Sequence, residues 1–136
     1  MIDKRTLRDL NLFKSAALPA AGATSNSAAI DLGSVNPGRT AEGQYELIVE
    51  LPATPALVDT KTTTLVVQDS ADGAAFANVA DLPSIVSTGA GGVGAAAIER
   101  RFTAPFTLRR YIRLNQTVLA AGGDNTAISG SIGLVF

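Results

Sequence analysis

From Ala28 to the last residue, apolar positions recur at every second place along most of this chain. A period of two puts apolar side chains on one face of a strand and polar ones on the other. The clearest run is Gln44–Leu51. Tyr45, Leu47, Val49 and Leu51 take one face, and Glu46, Ile48 and Glu50 take the other. Pro52 and Pro55 end it, since proline has no N–H for a ladder. Ile30 and Leu32 flank Asp31 in a shorter run, and a turn-rich connector with Asn36-Pro37-Gly38 follows. Thr60–Asp69 is dense in β-branched residues, which fit a pleated surface. After the turn at Asp72-Gly73, Phe76–Val79 and Ser84–Ser87 are short strand candidates. Ala95–Thr103 reads as helix or strand, and Pro105 with its Thr and Phe neighbours favours strand. Leu108–Leu119 predicts a long strand, Gly122-Gly123-Asp124-Asn125 a loop. In the last run Ile128, Gly130, Ile132, Leu134 and Phe136 share a face. An apolar strand of this kind is expected inside a sheet, because an open edge would aggregate.

The opening follows a different rule. Leu7, Leu10 and Phe13 lie at three-residue steps behind Asp3, a fair N-cap, which predicts a short helix over 4–13. Such a helix is marginal unless its apolar side lies on something. Ser15–Ser27 is Ala, Gly, Pro and Ser, and reads as an extended or flexible arm. The expected organisation is an N-terminal arm, 1–27, and one all-β domain, 28–136. Seven or eight short strands predict a sandwich or barrel. An eight-stranded jelly-roll suits the long cross-over connections. No internal repeat is present, and no linker divides the domain.

Composition sharpens this. The 136 residues are 46% hydrophobic, yet hold only 5 Phe, 2 Tyr, 1 Met and no Trp. Small side chains gain little on burial, so further burial by self-association or docking is expected. Net charge is -1 but unevenly spread. Lys4, Arg5, Arg8 and Lys14 open the chain, the middle is acidic, and Arg100, Arg101, Arg109, Arg110 and Arg113 make the last part basic. That pattern suits docking against complementary charge, or is ordinary surface scatter. With no Cys there is no disulfide framework. Lys14 and Pro19 interrupt the Ala-rich stretch, so no export signal is expected. No run approaches the ~20 apolar residues that span a bilayer.

Catalytic chemistry finds little footing. The absence of His removes the usual general base, the commonest zinc ligand and the Ser-His pairing. No Ser lies three residues before any Lys. Glu46 and Glu50 share a face but stand about 13 Å apart, too far for a glycosidase pair. Asp69-Ser-Ala-Asp72-Gly73 lacks the spacing of a calcium loop and reads as a strand-to-turn corner. Asn115-Gln-Thr117 matches a glycosylation triplet, one frequent by chance. Gly89-Ala-Gly91-Gly92-Val-Gly94 fits G-x-G-x-x-G literally. It lacks the βαβ frame and the acid about 20 residues on, so it reads as a mobile Gly/Ala loop. Arg109 and Arg113 fall on one strand face and Arg110 on the other. No aromatic platform and a sequence pI near 5.3 speak for salt bridges at an interface rather than nucleic acid. The expectation is no enzyme, no cofactor, no metal, no nucleic acid and no membrane.

Four stretches, in order along nearly the whole chain, resemble the small jelly-roll capsid cement (decoration) proteins of tailed phages. They are Ile2-Asp3 with its Leu-rich sequel, Ser27-Ala-Ala-Ile30-Asp31-Leu32-Gly33, Arg110-Tyr111-Ile-Arg-Leu114, and Ser129-Gly-Ser-Ile132-Gly-Leu-Val135-Phe136. The Gly89–Gly94 loop and the Ala-rich arm depart from the family's pattern. The resemblance implies a virion protein made in the host cytoplasm and seated on the outer capsid surface. It also implies bridging of major capsid protein subunits, and self-association as a dimer, with a trimer as the alternative. On that reading Ile2, Arg5, Leu7, Arg8, Leu10 and Phe13 are expected to touch the capsid. Arg109, Arg110, Tyr111 and Arg113 are expected at the oligomer interface. Deleting 2–14 should then abolish head binding, unless the segment instead closes its own barrel. Rival expectations are a head-completion, tail or fibre-associated module, and a carbohydrate-binding sandwich stacking sugars on Tyr45 and Tyr111.

Overall fold

The computed structural model describes residues 12–33 and 46–135. These form an all-β molecule of two antiparallel sheets. The first sheet contains β1 (Phe13–Ala17), β4 (Glu46–Leu51), β8 (Ile98–Thr103) and β10 (Ser129–Val135), in the order β1-β10-β4-β8. The second contains β2 (Thr24–Asn26), β5 (Thr62–Ser70), β6 (Ala77–Asn78) and β9 (Tyr111–Val118), in the order β2-β9-β5-β6. Two short strands extend it: β3 (Ile30–Asp31) pairs with β9, and β7 (Ile85–Thr88) pairs with β5. If β2 and β3 share one position, and β6 and β7 another, the eight positions change sheet at every step along the chain except from β5 to the β6/β7 position. That winding is consistent with the jelly-roll expectation.

Alternation makes the core. Leu47, Val49, Leu51, Ile132 and Leu134 of the first sheet meet Ile30, Leu65, Val67, Ile112, Leu114 and Val118 of the second in one buried cluster. Each large aliphatic truncated there costs about 2–5 kcal/mol, the transfer term plus the cavity left behind. Gln116, also inward on β9, is fully buried. Its Nε2 donates to the carbonyls of Ala16 and Ala17 at 3.1 and 3.3 Å, tying the sheets together. A Cβ on Gly130 would collide with the Gln116 amide, so β10 carries glycine there.

The structure departs from the sequence reading in several places. Ser15–Ser27, read as an arm, supplies β1 and β2, one strand to each sheet. Between them Leu18 is buried and its N–H bonds Ile128 O at 2.8 Å. The arm's helical pattern does not reach Phe13, which opens β1 opposite Gly133; residues 4–11 lie outside the described residues. Ala95–Thr103 resolves as a strand, β8. Ile48 shares the outward face of β4 with Glu46 and Glu50, yet is only 1% exposed. In its row across the sheet Gly133 leaves a gap that the Phe13 ring enters.

Candidate functional site

The expected interface residues Arg109, Arg110, Tyr111 and Arg113 gather at one end and on the outer face of the second sheet, but not in the predicted pattern. The strand begins at Tyr111, so the period of two does not extend back to Arg109. Arg109 turns to Asp69 on the inner side, and Arg113 faces outward. The shared face expected of them is therefore absent.

Asp69 is an inward, buried carboxylate. Arg109 answers it four times: its backbone N–H and Nε donate to the carboxylate at 3.1 and 2.9 Å. Its Nη2 reaches Oδ1 at 2.7 Å and the Asp69 carbonyl at 2.8 Å. A carboxylate buried there without such donors would be costly. Arg110 makes a two-pronged pair with Asp31, at 2.8 and 3.0 Å. That hydrogen bond, with the Gly33 N–H second, holds the Asp31 carboxyl down at about 2 and raises Arg110. The Arg110 guanidinium also stands 5.2 Å from the Tyr111 ring centroid, and a Cβ on Gly73 would lie 3.6 Å from the same ring. At the corner after β5, Asp72 accepts the N–H groups of Ala74 and Ala75 and the Ser70 hydroxyl. Those bonds lower it to about 2.

Arg113 is held differently. Its guanidinium lies 4.1 Å above the Phe76 ring centroid, and its Nε donates to Gln68 Oε1 at 2.9 Å. Gln68 is fixed in turn by Asn78 at 2.9 Å. The face continues through Asn115 to Asn26 at 2.7 Å and Thr24 to Thr117 at 2.9 Å. Val66 and the half-exposed Val86 supply its apolar positions. These cross-strand partners lie 10 to 93 residues apart, which is why sequence reading did not find them.

Of the expected capsid-contact residues, Phe13 lies half-buried on the outer face of the first sheet. Ile2, Arg5, Leu7, Arg8 and Leu10 lie outside the described residues, as does Tyr45. Among the described residues no group of three or more acidic side chains could hold a metal ion. No described helix is long and apolar enough to cross a membrane.

The Gly89–Gly94 segment is a turn between two strands of different sheets rather than the strand-to-helix turn of a dinucleotide site. It is not the free loop read from composition. Thr60 N–H bonds Gly89 O at 2.9 Å, Gly89 N–H bonds Lys61 O at 3.0 Å, and Gly92 N–H bonds the Asp59 carboxylate at 2.9 Å. Gly94, at φ +74°, passes so close to the Thr54 carbonyl that no Cβ fits.

No protein-family model matches the chain, and no curated protein matches it. Among solved structures, the enzymatically active domain of tailspike protein 4 from bacteriophage CBA120 is similar to 89% of the chain. The TM-score is 0.40 and the identity 16%. The chain spans 15% of that protein's length.

Proposed function

We propose that this chain is a structural module of a phage particle, and within that class a capsid cement protein. On this reading it sits on the outer surface of the head, bridges major capsid protein subunits as a homo-oligomer, and catalyses nothing. One observation supports the reading above others: two of the family-like stretches, far apart in sequence, build a single unit. Ser27 and Leu114 exchange hydrogen bonds, Ser27 N–H to Leu114 O at 2.9 Å and Leu114 N–H to Ser27 Oγ at 2.9 Å. Ile30 pairs with Ile112, and Asp31 closes the unit on Arg110. The residues that carry the resemblance are thus the ones that join β3 to β9. Two modest contacts held by one oligomer then gain through effective concentration.

The test is copy number. Gel densitometry of purified particles is expected to find the chain on the order of hundreds per virion, as repeated bridging of a shell requires. A handful of copies would replace cement by a head-completion, tail or fibre-associated module. Absence from particles would end the structural reading.

A further inference from the structure

We propose that the outer face of the second sheet grips a partner protein, with Arg113 receiving one of that partner's carboxylates. The inference rests on the cement reading, in which the partner is the shell subunit.

Three arginines stand close together in sequence, and two are neutralised within the chain by Asp69 and Asp31. Among the described residues Arg113 has no carboxylate. Its Nε is committed to Gln68 and its plane to the Phe76 ring, and among the described residues neither Nη group has a hydrogen-bond partner. The fork is therefore already oriented, and little side-chain freedom remains to be lost on binding. The rest of the face is neutral. The outward positions of β5 and β9 are Thr62, Thr64, Val66, Gln68 and Ser70, and Tyr111, Arg113, Asn115 and Thr117. Two carboxylates meet this face at its rim: Asp31, already paired with Arg110, and Asp72, held by the Ser70 hydroxyl and the N–H groups of Ala74 and Ala75. One uncompensated cation on a neutral sheet face complements a single acidic side chain, whereas a phosphate backbone is held by many cations. Paired amides and hydroxyls around a central arginine suit the rim-and-anchor layout of protein interfaces.

The experiment measures binding to heads that lack this chain, by co-sedimentation across a salt series. It compares the wild type, Arg113→Gln, Arg113→Lys, Asn115→Asp and, on the opposite sheet, Glu99→Gln, with thermal melts confirming each fold. Arg113→Gln is expected to bind roughly thirtyfold more weakly, the scale of an arginine anchor, with a flatter salt dependence. Arg113→Lys should fall between, keeping charge without the fork. Asn115→Asp, which places an anion beside Arg113 without touching the core, should weaken binding too, and Glu99→Gln should not. If the wild type binds and both Arg113→Gln and Asn115→Asp bind equally well, the face is wrong and the cement reading stands. If the wild type does not bind, both fall. Self-association of the free chain that depends on Arg113 in light scattering would make the occupant a second copy and overturn the assignment to the shell.

Discussion

The two ends of the sandwich are closed by opposite means. At the end where β5 runs out and β9 begins, long ionic side chains tie the start of β9 to its neighbours in the second sheet: Arg109 to Asp69 on β5, Arg110 to Asp31 on β3. At the other end, backbone meets backbone. Thr54 and Ala95 exchange hydrogen bonds at 2.9 and 3.1 Å, Val58 N–H bonds Gly122 O at 3.2 Å, and glycines at 89, 94 and 123 permit the approach. Thr60 and Ala121 take positive φ values of 67° and 61° there, a strain these bonds sustain. The first end tolerates changes in chain path, because side chains reach; the second tolerates almost none.

The two ends differ most at Gly94. Gly94→Ala sets a Cβ against the Thr54 carbonyl in a left-handed conformation and is expected to cost about 3–5 kcal/mol or prevent folding, read by urea denaturation. At the ionic end, Asp69→Ala leaves Arg109 without its buried acceptor. The expected loss is about 2–3 kcal/mol, by the same measurement. The smallest effect is in pH. Asp31 and Asp72 titrate near 2 in the folded chain against 3.8 as ordinary carboxyls, so folding favours their charged forms. Their contribution is complete above pH 4 and disappears as pH falls from 4 through 2. The denaturation midpoint should therefore hold steady from pH 7 to 5 and drop below 4, and Asp31→Asn should make that drop shallower.

Legibility followed the range of the forces involved. Alternation at Leu47, Val49 and Leu51, or at Ile132 and Leu134, is a local signal, and it placed β4 and β10 in the core. Ile48 broke the rule because its covering depends on Phe13 and the gap at Gly133, which a single strand's pattern does not contain. The charged residues were visible as types but not as pairs, since Asp31 lies 79 residues from Arg110. Glycine misled in the other direction. At Gly89–Gly94 composition implied freedom, whereas close approach to residues 54–61 required glycine there. Ser15–Ser27 showed too few large apolar side chains to announce strands, and its ladders come from backbone groups that every residue but proline carries.

Sheet order also bears on how the molecule is made. β10 sits between β1 and β4, with Lys14 opposite Ile132 and Ile132 opposite Val49. During synthesis, a chain that has emerged only as far as β9 therefore holds β1 and β4 with nothing to join them. The first sheet assembles in a late, long-range step of the slow kind set by distant contacts, and until then the apolar faces waiting for β10 are exposed to any neighbouring chain.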